Sequence, residues 1–138
     1  MKKLPKGIVP VVQTAFDEKN HIDFASMEKL IVDSIAAGVS GLLCPVVASE
    51  VSFLTEEERS QLIRFVRDIA RDRVAVIVGA SSSEMQTCRR FIRQAVDIDA
   101  DACLVAVPDE LYQHPEHIVP FFTEVIRDLN MALVIQDF

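Results

Sequence analysis

Ser49 and Glu50 set a hydroxyl beside a carboxylate, directly after the apolar run Leu42-Leu43-Cys44-Pro45-Val46 and shortly before Leu54-Thr55-Glu56-Glu57-Glu58-Arg59. A buried run, a polar loop and a capped helix make one βα unit, and parallel α/β folds bind ligands where strands end and loops lead into helices. Glu50 is therefore placed to order a loop at an active rim. The plainer reading, which carries more weight, is a carboxylate taken up by a nearby backbone donor. Gln136 and Asp137 follow a second apolar run, Ala132 to Ile135, and fall on the same side. Either is placed to contact a ligand or act as general acid or base, against an ordinary strand-end turn.

Three other clusters invite chemistry less strongly. Gly79-Ala80-Ser81-Ser82-Ser83 precedes a helical pattern, and free N–H groups there can cradle a phosphate. It lacks the glycines and lysine of a P-loop, so helix N-capping accounts for it better. His114-Pro115-Glu116-His117 spaces two histidines three apart with no further ligand cluster, which reads as a solvated helix start and not a metal site. Cys44, Cys88 and Cys103 are widely spaced, with no C-x-x-C pair, and two of them sit in apolar runs as small hydrophobes. No metal and no cofactor is expected.

The elements that must hold these residues follow from periodicity. Gly7 to Gln13 is β-branched and apolar and predicts a first strand. Asp23 caps a helix running to about Ala37, with Met27, Leu30, Ile31 and Ile35 at helical spacing, and Gly38 stops it. Leu42 to Val46 is the second strand. Thr55 and Glu58 form a capping box before a helix with the stripe Leu62, Ile63, Val66, Ile69 and Ala70. Val74 to Val78 is the third strand. Ser83 and Glu84 open a helix with Cys88, Phe91, Ile92, Ala95 and Val96 on its apolar face. Ala102 to Val107 is the fourth strand; Pro115 and Glu116 begin a helix with Ile118, Val119, Phe122, Val125 and Ile126; Ala132 to Ile135 is the fifth strand.

Strands thus recur at roughly thirty-residue intervals, each but the last followed by a helix. Their apolar runs do not alternate, which predicts strands buried on both faces by crossover helices in a parallel α/β fold. A five-stranded doubly wound sheet fits this length. A (β/α)₈ barrel takes about 250 residues, so residues 1–138 would be its first half plus one strand.

Composition limits the partners. With 138 residues, half of them hydrophobic, the chain suits one domain with a real core. A net charge of -7 argues against nucleic acid or an anionic membrane. No apolar run approaches the roughly 20 residues that span a bilayer, and the start Met1-Lys2-Lys3-Leu4-Pro5 does not read as a signal peptide. A cytoplasmic setting is expected.

The segments Gly7-Ile8-Val9-Pro10, Thr14-Ala15-Phe16-Asp17, Ile22-Asp23, Ala37-Gly38-Val39-Ser40-Gly41-Leu42, Glu50 with Leu54-Thr55-Glu56-Glu57-Glu58-Arg59, Val74 to Gly79, and Ala100-Asp101-Ala102 leading to Val107-Pro108 are collinear. Together they resemble the dihydrodipicolinate synthase/N-acetylneuraminate lyase family across nearly the whole chain. The resemblance implies a (β/α)₈ TIM barrel, of which this chain holds the first five strands and four helices. It also implies Schiff-base, class I aldolase-like chemistry on pyruvate or another 2-keto acid, in which a lysine amine condenses with the keto group and the iminium serves as electron sink.

The family places that lysine at the end of the sixth strand. Lys2, Lys3, Lys6, Lys19 and Lys29 all lie in the N-terminal stretch, a turn or the first helix, so no nucleophile is carried over and the reacting amine is expected beyond Phe138. The family's Gly-Thr-Thr-Gly-Glu loop aligns with Val46, Val47, Ala48, Ser49 and Glu50. Hydroxyls are absent at Val47 and Ala48, although backbone N–H groups there can hold an anion. The tyrosine after strand five is replaced by Gln136, with Asp137 next; a second family tyrosine aligns with Glu110, Tyr112 being out of register. Loss of that relay argues for a divergent branch with another substrate, or for none. The alternatives are a small-anion-binding or self-associating half-barrel without catalysis, and a complete flavodoxin-like domain with strand order 2-1-3-4-5. A half-barrel leaves a strand edge and an inner face open, so a homo-oligomer is expected.

Overall fold

The computed structural model describes residues 4–127 and 129–137; Lys2, Lys3 and Phe138 lie outside them. Four βα-type steps follow one another: α1 (Phe24–Ala36), β1 (Gly41–Cys44), α2 (Glu56–Ala70), β2 (Ala75–Gly79), α3 (Met85–Asp97), β3 (Ala102–Ala106), α4 (Ile118–Val125) and β4 (Ala132–Gln136). The strands form one parallel sheet in the order β1-β2-β3-β4. Every neighbour in the sheet is a neighbour in sequence. The reordered centre of a flavodoxin-like sheet is therefore not what this chain forms.

The expected first strand is the main correction. Residues 7–13 run beside β1 but form a single bridge, Val11 to Leu43. Val12 N donates to Leu43 O at 2.9 Å, Leu43 N to Pro10 O at 3.0 Å and Ser40 N to Ile8 O at 2.8 Å. Pro10 has no N–H to donate, so a full ladder cannot form, and proline is tolerated because this is the sheet's edge. The segment occupies the place of a first strand without the regular pairing.

The second correction concerns the helices. One apolar cluster joins Leu42 and Cys44 of β1, Val76 and Val78 of β2, and Cys103 and Val105 of β3 to Met27, Ile31, Leu62, Ile63, Val66, Cys88, Ile92, Phe122 and Val125 of the helices. The alternate positions Leu43, Ile77, Ala102, Leu104, Ala132 and Val134 make a separate cluster with Val9 and Val46, and no helical residue belongs to it. Helices thus cover one face only. That is the wall of a barrel, where the inner face meets other strands, and not a doubly wound sheet. At β4 the inner cover thins, and Ile135, on the opposite side, is half exposed. Four residues assigned to apolar stripes also turn outward: Leu30, Val96, Val119 and Ile126.

Local signals explain the helix boundaries. The Asp23 carboxylate accepts from Ser26 N at the start of α1, and Gly38 ends it at φ 87°. At α2, Glu58 N donates to Thr55 Oγ1 at 3.2 Å while Thr55 N donates to Glu58 Oε2 at 2.8 Å, a complete capping box. Thr55 N and Thr55 Oγ1, both donating to the Glu58 carboxylate, hold it below its ordinary value. With a depressed folded-state pKa, the contribution is present above the unfolded value and is lost as pH falls through the folded one. Thr55→Ala should cost about 1 kcal/mol in chemical denaturation at neutral pH, and the difference from the parent should shrink in acid. Helix α4 starts at Ile118, later than expected, because Pro115–His117 forms a 3₁₀ turn ahead of it.

Candidate functional site

The carboxyl ends of the strands meet at one rim. After β1 the chain enters a 3₁₀ turn, Val47–Ser49, closed by Glu50 in the left-handed region at φ 57°. The turn is clamped from below by residues 12–14. Ser49 Oγ donates to Val12 O at 2.7 Å, and Thr14 Oγ1 donates to Ser49 O at 2.6 Å. Ser49 is fully buried and Thr14 nearly so. A buried hydroxyl that both anchors and is anchored fixes the loop and is not free to react. Ser49 is thus a positioning residue, while Val47, Ala48 and Glu50 are exposed. The Glu50 carboxylate makes no hydrogen bond with a described residue, so the expected backbone partner is not there.

Beyond β2, Gly79 lies so close to the β1 end that a Cβ there would collide with the Pro45 carbonyl oxygen. Its own carbonyl accepts a hydrogen bond from Arg59 Nη2. Ser81 Oγ accepts from Ala106 N at 2.9 Å, tying the β2 exit to β3, while Ser82 Oγ accepts from Glu84 N at 3.2 Å. The serines therefore brace the rim and the approach to α3, whose N-cap, Glu84, makes no side-chain cap bond. Val107 N donates to Gln136 O at 2.9 Å, closing the β3 and β4 exits together.

Gln136 and Val47 line one cavity of about 80 Å³, shared with Arg59, Ser81 and Ala106. Val47 and Glu110 line an adjoining one of about 300 Å³, with Ser81, Ser82 and Ser83. The structure thus brings Val47, Gln136 and Glu110 around adjacent hollows. Ala48, Ser49 and Glu50 line neither. Asp137 is exposed, and its Oδ1 accepts from Tyr112 Oη at 2.9 Å.

Tyr112 and Arg59 are the rim residues that sequence reading did not place. Tyr112 arrives because the 3₁₀ turn Asp109–Gln113 swings it back over β4, a turn with no strong sequence mark. Arg59 did carry a signal. It stands three and four residues before Leu62 and Ile63, on the apolar stripe of α2, and is only 4% exposed. Its guanidinium stacks on Phe91 at 3.9 Å, a cation–π contact. Burial pulls its pKa down to about 10.

The cysteines are inert. Burial pushes Cys44 and Cys103 up to about 12 and Cys88 to about 11, so thiolates do not form at neutral pH. The rings of His114 and His117 stack at 5.8 Å. Among the described residues, no group of three or more His, Cys, Asp or Glu could hold a metal ion. None of the described helices is long and apolar enough to cross a membrane.

Residues 4–136 match the model of the Dihydrodipicolinate synthetase family. The chain belongs to that family. It is 34% identical over 103 residues to 4-hydroxy-tetrahydrodipicolinate synthase of Bdellovibrio bacteriovorus, covering 75% of this chain and 35% of that protein. It is 32% identical over 130 residues to the enzyme of the same name from Alkaliphilus oremlandii, covering 94% and 44%. Among solved structures, YagE, a prophage protein of the dihydrodipicolinic acid synthase family from E. coli K12 in complex with pyruvate, superposes with a TM-score of 0.88 at 28% identity, covering 96% of this chain and 44% of that one. The chain therefore spans less than half the length of these relatives and corresponds to the N-terminal part of their TIM barrel.

Proposed function

We propose that residues 1–138 form the N-terminal part of a single TIM-barrel domain, the part that shapes the substrate end of a lyase or synthase acting on pyruvate or another 2-keto acid. The reaction runs through a lysine Schiff base, and the amine is supplied by sequence beyond Phe138. The observation that carries this reading is the rim itself. The 47–49 turn, clamped by Thr14 and Ser49, is held beside Gln136 and Glu110 at the carboxyl ends of consecutive strands, on a helix-free sheet face. Pyruvate bound to a relative of this fold supports the substrate class.

Within this reading Val47 and Ala48 offer backbone N–H groups at the opening of the turn to a carboxylate. Gln136 supplies a carboxamide to the ligand, and Asp137 with Tyr112 supplies a carboxylate–phenol pair for proton transfer. Glu50 and Ser49 shape the loop, and Glu110 borders the entrance. The chain forms homo-oligomers through the β4 edge, where Ile135 is half exposed. It works in the cytoplasm, without nucleic acid or membrane as partner.

Borohydride treatment with pyruvate tests the missing amine. Mass spectrometry should find no reduced pyruvyl adduct on residues 1–138. An adduct on Lys2, Lys3, Lys6, Lys19 or Lys29 would overturn the proposal. A non-catalytic half-barrel that binds a small anion is the second reading, favoured by the valine and alanine at positions 47 and 48, which cannot relay a proton.

A further inference from the structure

Helix α3 is longer than the helix beside it, and the mismatch leaves a hollow. Arg89, Ile92, Arg93 and Val96 recur at helical spacing on the side of α3 that turns to α4, where Arg89 pairs with Glu124. The 13 residues of α3 span about 20 Å, whereas the 8 of α4 span only about 12 Å. Val96, near the end of α3, is left half exposed although it belongs to the apolar stripe. Between the two helices lies a cavity of about 400 Å³. Leu129 and Asn130, just ahead of β4, complete its wall, so it sits at the entry end of the strands, away from the rim.

The floor of this cavity is apolar, from Ile92, Val96, Val125 and Leu129. Its mouth is cationic. Arg89 and Arg127 both grip the Glu124 carboxylate, at 2.6 and 2.7 Å, so that carboxylate is neutralised. Arg93 is exposed and makes no hydrogen bond or ion pair with a described residue. Among the described residues, the guanidiniums of Arg89, Arg93 and Arg127 stand against the Asp97 and Glu124 carboxylates, a local positive excess in a chain of net charge -7. The other large hollow at the entry end, beside Arg67 and Asp101, has no such excess, since its arginines are matched by as many aspartates. An unpaired guanidinium over an apolar floor suits an anion that brings hydrocarbon with it, the carboxylate on the donor fork and the body on the floor.

We infer that this hollow is a second ligand site, which takes a monocarboxylate with a bulky apolar body: Arg93 receives the carboxylate, and Ile92, Val96, Val125 and Leu129 receive the hydrocarbon. The site shares no residue with the two hollows at the rim, so it stands apart from the keto-acid reading and does not rest on it. An acid as small as acetate has too little hydrocarbon to use the floor.

The test titrates the full chain, labelled with ¹⁵N, with sodium benzoate at constant ionic strength. Benzyl alcohol serves as the uncharged counterpart and sodium acetate as the carboxylate without a body. Benzoate should shift the Arg93 Nε–H signal and the Val96 and Leu129 amides saturably, and should bind roughly tenfold more tightly than either control. Arg93→Gln, a change at an exposed position, should weaken benzoate roughly tenfold without altering the thermal midpoint. Should that variant fail to fold, the parent titration still decides. Benzyl alcohol binding as tightly as benzoate would overturn the inference, because Arg93 would then recognise no charge. Shifts confined to residues 47–49 and 81–83 at the rim, or no saturable shift at all, would overturn it too. None of these results touches the borohydride experiment, so the two proposals fail separately.

Discussion

Gly79→Ala should destabilise the chain by about 3 kcal/mol, at the upper end for overpacking. The added methyl meets the Pro45 carbonyl oxygen and the Val46 side chain, and backbone cannot be pushed aside as a flexible side chain can. Gly79 also gives its carbonyl to Arg59 and pairs with Leu104 in the sheet, so a shift of its backbone disturbs both. For a domain of this size the loss corresponds to a midpoint drop of roughly 10 °C in thermal denaturation. Gly41, whose nearest neighbours leave a Cβ in tight but bearable contact, is the comparison. A Gly79→Ala protein melting within 2 °C or so of the parent would mean that β1 and β2 do not approach at the rim as described.

The clamp beneath the loop makes the second prediction. Ser49→Ala leaves the Val12 carbonyl without its buried donor and should cost about 2 kcal/mol. Thr14→Val removes the donor to Ser49 O and should cost about as much. The two hydrogen bonds share one residue and tie the same two segments together. The double variant should therefore be less damaged than the sum, by about 0.5–1 kcal/mol in a double-mutant cycle from urea denaturation. Strict additivity would show that the segments are held independently. Loss of the clamp should also loosen the amides of residues 47–50 in hydrogen exchange, with those of α3 unchanged.

Much of this architecture was readable from residue patterns, for reasons that differ by element. Helices α1 and α2 announced themselves by caps and stripes, Asp23 and Thr55–Glu58 being signals that act within one turn of chain. Strands β2, β3 and β4 stood out as continuous apolar runs between glycine, proline and acidic residues. The continuous run itself misled in one respect, since it equally suits a sheet with helices on both sides. The inner face is apolar because it is built to meet other strands. Gly7 to Gln13 misled because composition does not weigh the one missing N–H of Pro10 against a ladder.

The site was legible only in part. The loop position of residues 47–50 and the strand-end position of Gln136 and Asp137 came from chain order, and the family resemblance added Glu110. Contacts between residues far apart in sequence did not. The Tyr112–Asp137 bond spans 25 residues, and the Ser49–Val12 bond spans 37. Arg59 belongs to the helix signature Leu54 to Arg59, and its place on the stripe of α2 puts it inside.

The sequential order of the sheet has a consequence for synthesis. Each strand docks on the one made just before it, so every pairing closes a similar, short stretch of chain and none waits for a distant segment. A chain emerging from the ribosome can add one βα step at a time, carrying forward a single growing edge as its template.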